Sequence, residues 1–313
     1  MSGTSAAPEI PQPGGDFDLT SFLQEQGKRV GQALRRALAS LTPRVDPSLV
    51  PVLRHGLLTD GKRVRPILCA AAYEACGRET GDGCYDLAAS IEMIHAYSLM
   101  HDDLPCMDDA GLRRGSPTPH RVFGARNTAR AAAALIPGAA LQAWRAALEL
   151  GCPDETARGL VRALAQAAGA GGMVGGQALD LESEGRTLSP DRLNRLHALK
   201  TGALLSAAPR IGGLAAGAGS RRIEALDRYG RALGLAFQIA DDILDATSSA
   251  ERLGKHPSDE ALGKSTYVSL YGLEGARARA LRQVSIARRA LARGGLDSRP
   301  MEAIAEYVVR RRR

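Results

Sequence analysis

Apolar residues recur along this chain at intervals of three and four, the spacing of one face of a helix. Phe22, Leu23, Val30, Leu34 and Leu38 mark such a face and predict a helix over Phe17–Leu41. The same period predicts helices over about Arg65–Cys76, Tyr85–Leu104, His120–Leu135, Gly138–Leu150, Glu155–Ala168, Pro190–Leu214, Ser220–Ser248, Thr266–Arg293 and Met301–Arg312. Breakers lie between them: "TPRVDPSLVP", "DGK", "LPCMDDAGLRRGSPTP", "LIPG", "GRTLSP" and "LGKHPSDEALGKS". No stretch alternates apolar and polar residues with period two, and no short repeat is visible. The pattern predicts an all-α helical bundle with buried central helices, in one domain over residues 17–313. Residues 1–16 are rich in Pro, Gly and Ser and are expected to be disordered.

Composition sharpens this picture. Apolar residues make up 44% of 313, enough for a large core, yet aromatics are only 4%, so Ala and Leu must fill it and helices are favoured over sheet. The net charge of +7 suits nucleic acid or a polyanionic small molecule. No strip of mixed aromatic and basic residues resembles an RNA-binding sheet, so the small molecule is preferred and no nucleic-acid partner is expected. Five cysteines with no C-x-x-C pair argue against a disulfide framework or zinc site and fit a reducing cytoplasm. The N-terminal stretch lacks the basic start and apolar core of a secretory leader, and no apolar run reaches the length of a membrane span.

The chemistry concentrates in two acidic clusters. "HDDLPCMDDAGLRRG", His101–Gly115, puts four aspartates and two arginines at the end of an apolar helix. Asp102 and Asp108 are six residues apart, about 120° around a straight helix, but Pro105 between them forces a break that would return Asp108 to the side of Asp102 and Asp103. The second cluster, "QIADDILDATS", carries Asp241 and Asp245 one turn apart on one face, with Asp242 beside them. Unpaired carboxylates in apolar helices would cost several kcal/mol each. A lone cluster is usually a solvated helix face; two, each in apolar surroundings and followed by basic residues, point to a cation between two helices. Ligands that are all oxygen suggest magnesium completed by phosphate and water.

Cations surround these clusters. Lys62, Arg63 and Arg65 stand in "TDGKRVRP", Arg113 and Arg114 follow the first cluster, Lys255 and Lys264 lie in "LGKHPSDEALGKST" after the second, and Lys200 sits in an otherwise apolar stretch beside Thr201. Singly each has a plain structural reading as a solvated patch or helix-end charge. Together with metal they describe a site for two polyphosphates. His95 lies close before the first cluster and joins the site by its context.

In "GKRVRP", "EMIHAYSLMHDDLPCMDD", "LRRGSPTPH", "GGQALDL", "LKTGALL", "GLAFQIADDILD" and "LGKSTY", in that order, the chain from about residue 20 onward resembles the trans-isoprenyl diphosphate synthases. The resemblance implies an isoprenoid-synthase bundle with a central cavity and condensation of isopentenyl diphosphate with an allylic diphosphate by ionisation, condensation and elimination. It implies that Asp102, Asp103, Asp108, Asp241, Asp242 and Asp245 hold magnesium, three ions bound with the allylic diphosphate. It implies that Arg113, Lys200, Lys255 and Lys264 grip that diphosphate, and that Lys62, Arg65, His95 and Arg114 hold isopentenyl diphosphate. Thr201 and Gln238 are implied beside the reacting carbons. A homodimer is implied as well.

The segment Ala125–Trp144, "ARNTARAAAALIPGAALQAW", departs from the family by its length, by Pro137, and by Ala139 where an aspartate is usual. A terpene cyclase or a non-catalytic partner subunit are the rival readings. Cyclases lack the "GKRVRP" site and such subunits tend to lose metal ligands, whereas this chain keeps both. Tyr97 and Ser98 stand five and four residues before Asp102, where they would form the floor under a growing prenyl tail. A bulky Tyr97 implies mainly the fifteen-carbon product, farnesyl diphosphate, over the twenty-carbon geranylgeranyl diphosphate; its plain alternative is packing in the core.

Overall fold

The computed structural model describes residues 17–183, 185–247 and 265–311. Segment 1–16, with its expected disorder, and the two loop lysines Lys255 and Lys264 fall outside these residues. The described chain is all-α: α1 (Leu19–Leu41), α2 (Val50–Leu58), α3 (Val64–Ala75), α4 (Asp82–Asp102), α5 (Pro119–Phe123), α6 (Ala125–Glu149), α7 (Asp154–Ala168), α8 (Met173–Glu182), α9 (Pro190–His197), α10 (Ala203–Ala215), α11 (Ser220–Thr247), α12 (Tyr267–Gly294) and α13 (Arg299–Arg310). A single π-turn, Ala198–Gly202, joins α9 to α10. None of the described helices is long and apolar enough to cross a membrane.

The centre of the bundle is α4. Every residue from Cys84 to Ile94 is buried, as expected of a helix apolar nearly all round. Its polar exceptions are partnered. Asp86 receives Arg36, the Ser90 hydroxyl donates to the Leu87 carbonyl, and Glu92 accepts from Arg63 Nη1 at 2.6 Å. Around α4 pack α1, α2, α3 and α6, while α10 lies against α3 and α11, and both α10 and α11 meet the π-turn. Small residues allow this closeness. A Cβ on Gly212 would fall 2.1 Å from the Cys69 carbonyl oxygen, so α10 meets α3 backbone to backbone.

Three local features differ from the sequence pattern. α2 forms despite Pro51, because proline at the first turn loses no intrahelical bond. α8 forms in "MVGGQALDLE", where glycines mask the helical period. And α6 runs unbroken through "LIPG", where a break was expected. Pro137 sits on the exposed side of α6, so water can satisfy the carbonyl that its missing N–H leaves unbonded. The opposite side, Ala131, Ala132, Leu135, Ala139 and Ala143, is buried and keeps the helix continuous across the proline. The remaining surprise is small: Leu112–Arg113 (β1) and Ser116–Pro117 (β2) pair antiparallel around Arg114 (φ 54°) and Gly115 (φ 77°), a tight hairpin turn.

Pro137 therefore costs α6 a hydrogen bond and a clash, offset by packing on one side. Pro137→Ala should stabilise the protein by about 1–3 kcal/mol, less a few tenths for the freer unfolded chain, and raise the thermal midpoint by several degrees in circular dichroism. An unchanged or lower midpoint would mean that the packed face depends on the proline ring.

Candidate active site

One cavity of about 950 Å³ opens between the loop before α3, the C-terminal half of α4, the β1–β2 hairpin, α8, the π-turn and α11. Most of the sequence-derived residues meet in it: Lys62, Arg65, His95, Tyr97, Ser98, Asp102, Asp108, Arg113, Arg114, Lys200, Thr201 and Asp241 all line its wall. Met173, Val174, Ala178, Leu181 and Phe237 give it an apolar side.

Asp102 is the last residue of α4. Beyond it the chain folds through "LPCM" and comes back, so that the Asp108 N–H donates to the Asp102 carbonyl at 2.9 Å. This turn puts both carboxylates on the cavity. Burial pushes the Asp102 carboxyl up to about 6, and the Asp108 charge pushes the same way against Lys200, His101 and Arg113. Burial likewise raises Asp241, with Arg311 opposing and Asp242 adding to the shift. Carboxylates whose ionised form burial disfavours are stabilised by a cation brought beside them.

The neighbouring aspartates do otherwise. Successive helix residues point about 100° apart, and here the second member of each pair turns away from the cavity. Asp103 is turned inward, and Arg113 takes both of its oxygens through Nε (2.8 and 2.7 Å) and Nη2 (2.6 Å). Asp242 is also buried, accepting the Tyr267 N–H at 2.7 Å and Gln238 Nε2 at 3.2 Å, with His197 Nε2 at 3.7 Å. The structure thus separates the expected metal set into cavity-facing Asp102, Asp108 and Asp241 and anchoring Asp103 and Asp242. Asp245 follows Asp241 by one turn, half-buried. Among the described residues no three acidic, histidine or cysteine side chains converge to hold a cation by themselves. Magnesium needs only one or two carboxylates beside water and phosphate, and the cavity-facing Asp102, Asp108 and Asp241 are the residues that would supply them.

The cations are positioned by their own partners. Arg63, itself buried and in the left-handed region (φ 48°), binds Glu92 and the Leu57 and Thr59 carbonyls, and so fixes the loop that presents Lys62 and Arg65. The hairpin turn sends Arg113 to Asp103, whereas Arg114 Nη1 donates to the Asp60 carbonyl at 3.0 Å. Gly61 permits this, since a Cβ there would lie 2.2 Å from that guanidinium. Arg65 Nη1 lies 3.3 Å from His95 Nε2. Arginine can only donate, so this nitrogen accepts and the ring is neutral; burial and the nearby Arg65 and Arg114 charges hold its pKa well below the usual value.

Lys200 and Thr201 project from the π-turn, a local widening that often marks functional sites. Lys200 Nζ donates to Asp180 of α8 at 2.6 Å. The two segments touch because Gly176 has no side chain; a Cβ there would lie 2.1 Å from the Lys200 nitrogen. Thr201 Oγ1 donates to Gln238 Oε1 at 2.9 Å. Gln238 itself lines a small adjoining cavity, which Lys200 also reaches.

Three contributors escape the sequence reading. Arg311 donates to Asp241 Oδ1 at 2.5 Å and to the Phe237 carbonyl, with its guanidinium 3.9 Å from the Phe237 ring. Asp180 and Glu92 are the partners of Lys200 and Arg63. Of these only Glu92 carried a signal, as a charge in the middle of an apolar helix.

The raised Asp102 gives a linkage prediction. Its carboxyl titrates near 6 when folded and near 3.8 when free, so the native state binds the extra proton between these values. Stability of the metal-free protein should therefore rise as pH falls from 7 toward 4, with up to about 3 kcal/mol from this group. Asp102→Asn should raise the melting point of EDTA-treated protein at pH 7.5, and the gain should shrink by more than half at pH 4.5. A gain equal at both pH values would mean that the carboxylate is not strained.

Comparison with known proteins places this geometry. The polyprenyl synthetase family profile matches residues 46–296. The chain is 43% identical over 306 residues to farnesyl diphosphate synthase of Escherichia coli (strain K12), covering 94% of this chain and 99% of that protein. It is 40% identical to chloroplastic geranylgeranyl pyrophosphate synthase 12 of Arabidopsis thaliana, over 93% and 81% of the two chains. Among solved structures, an FPP/GFPP synthase from Zymomonas mobilis superposes with a TM-score of 0.78 at 35% identity, over 92% of this chain and 99% of that one. With two cavity-facing acidic sites, the surrounding cations and similarity along nearly its whole length, the chain belongs to the polyprenyl synthetase family.

Proposed function

We propose that the protein is a prenyltransferase that condenses isopentenyl diphosphate with dimethylallyl or geranyl diphosphate and releases mainly farnesyl diphosphate. The observation that carries this reading is the single cavity with Asp102 and Asp108 on one wall, Asp241 on another and Lys62, Arg65, His95, Arg113, Arg114 and Lys200 between and around them. Arg113 and Lys200 grip the allylic diphosphate. Lys62, Arg65 and Arg114 hold isopentenyl diphosphate, with neutral His95 accepting from Arg65 and keeping its guanidinium in place. Asp102, Asp108 and Asp241 would hold magnesium, which would supply the positive charge that offsets the charge developing on the leaving diphosphate. Ionisation then leaves an allylic cation among apolar walls, where the Thr201 hydroxyl and the Gln238 amide dipole offset its charge without attacking it. Holding the second substrate's double bond against that cation supplies much of the rate. No side chain is placed as a base, and the departing diphosphate takes the final proton.

Tyr97 lines the cavity from α4, its ring 5.8 Å from that of His101, and supports a short product by closing space below Asp102. Homodimer formation is supported by large apolar side chains left in the open along α5 and α6: Val122, Ile136, Leu141 and Leu148 are 41–52% exposed. Five free cysteines support a reducing, cytoplasmic setting.

Incubation with isopentenyl and geranyl diphosphates and magnesium, followed by chromatography, tests the reading. Farnesyl diphosphate is expected from the wild type, and Asp102→Ala or Asp241→Ala should lower turnover by about a hundredfold or more. Near-wild-type rates in either variant would remove those residues from the reaction, and absence of any condensation would remove the reading. Tyr97→Ala should lengthen the product to twenty carbons or more at comparable turnover; a product still stopping at fifteen would show that Tyr97 only packs. For assembly, light scattering should give twice the chain mass, and Leu141→Glu with Leu148→Glu should halve it. A monomer in the wild type would overturn the dimer.

A further inference from the structure

A second cavity, of about 850 Å³, lies outside the catalytic one, between α9, the π-turn, α11 and α12. Arg221, Arg228 and Arg231 line it from α11, and Arg289 and Arg293 from α12; Glu224 is its only acidic residue. On α11 the three arginines are seven and three residues apart, and on α12 the two are four apart, so each set forms a stripe along one helix face. The Arg221 guanidinium donates twice to the Arg293 carbonyl, at 2.9 and 2.7 Å, and ties the two stripes together at one end. Arg228, Arg231 and Arg289 make no ion pair or hydrogen bond among the described residues. Five positive charges gathered in a groove with one negative charge repel one another until an anion enters.

The groove is also apolar. Ala225, Ala232 and Ala290 form its floor, and Leu235, Ile286 and Ala198 lie toward the end away from the Arg221–Arg293 link. Its charge and its grease are thus graded along its length, about 20 Å on α11 from Arg221 to Leu235 at 1.5 Å per residue. Guanidinium forks suit phosphate oxygens better than ammonium groups do, and an apolar continuation suits a hydrocarbon tail.

The groove shares two elements with the catalytic cavity. Ala198 and Gly202 of the π-turn line the groove, while Lys200 and Thr201 of the same turn line the cavity. Likewise α11 gives Leu235 to one and Phe237 and Asp241 to the other. Contact between α11 and the turn has no slack, since a Cβ on Gly234 would lie 2.8 Å from the Gly202 Cα. An occupant pressing on Ala198 and Gly202 must move the turn that aims Lys200.

We propose that this groove is a regulatory site for a phosphorylated amphiphile of the prenyl diphosphate class, with the diphosphate among the arginines and the tail toward Leu235, and that its occupancy weakens the hold of the catalytic cavity on the allylic diphosphate. The choice of a prenyl diphosphate rests on the prenyltransferase reading above. By reciprocity an allylic substrate in the cavity weakens the groove by the same factor.

Calorimetric titration of the full chain with farnesyl diphosphate in EDTA tests it, because chelation removes the metal-dependent hold of the catalytic cavity. Arg228→Ala with Arg289→Ala should weaken this binding at least tenfold, inorganic diphosphate should bind wild type at least tenfold more weakly than farnesyl diphosphate, and the variant should turn over normally at low product yet lose inhibition by added farnesyl diphosphate. Arg289→Glu alone, at an exposed position, should act in the same direction and guards against a fold defect in the double variant. Equal affinity in wild type and variants overturns the site. Equal affinity for inorganic and farnesyl diphosphate overturns the amphiphile. Arginine-dependent sedimentation with phosphatidylglycerol vesicles, without binding of soluble farnesyl diphosphate, makes the groove a membrane contact and overturns the proposal. An active enzyme without arginine-dependent binding sinks the groove alone, whereas an inactive chain that keeps such binding sinks the catalytic reading alone.

Discussion

Negative charge cannot stand inside an apolar bundle without a partner, and the architecture around α4 and α11 follows from how each carboxylate is answered. Each helix offers a pair of adjacent aspartates, and helix geometry sends the two members of a pair in different directions. The inward member is neutralised by protein: Arg113 on Asp103, and the Tyr267 N–H with Gln238 on Asp242. The outward member faces the cavity at a cost: burial raises Asp241 although Arg311 pairs with it, and lifts Asp102 to about 6 despite Lys200 and Arg113 nearby. The anchored aspartates hold the hairpin and the start of α12 in place, and the strained ones face the cavity. A metal-diphosphate complex would relieve a cost that the fold has already incurred.

Much of this was legible in the chain and part of it was not, for physical reasons. The three-four period located most helices, and the insertion of Pro105 foretold that Asp108 would return beside Asp102, because a broken helix leaves few other paths. The pattern missed α8, whose glycines carry no hydrophobic signal although one of them, Gly176, lets α8 touch the backbone of Lys200. It predicted a break at Pro137, since propensity speaks for one residue while burial of five neighbours decides for the helix. Spacing also grouped Asp103 and Asp242 with their neighbours; which oxygen faces the cavity depends on partners ten and twenty-five residues away. Arg311 reaches Asp241 across seventy residues, and no local rule reports such a contact.

The π-turn concentrates several of these dependencies in five residues. Lys200 and Thr201 are neighbours in this turn and both line the catalytic cavity. The widening has to be supported on every side. Gly176 lets α8 approach its backbone, Gly234 lets α11 do the same, and Asp180 and Gln238 then fix the two side chains. Since α8 and α11 leave no room for the turn to relax, movement at any one contact is carried to the Lys200 ammonium. Positioning of the Lys200 ammonium is therefore a property of how α8 and α11 pack against the π-turn, and Gly176 and Gly234 shape the cavity as much as its charged side chains do.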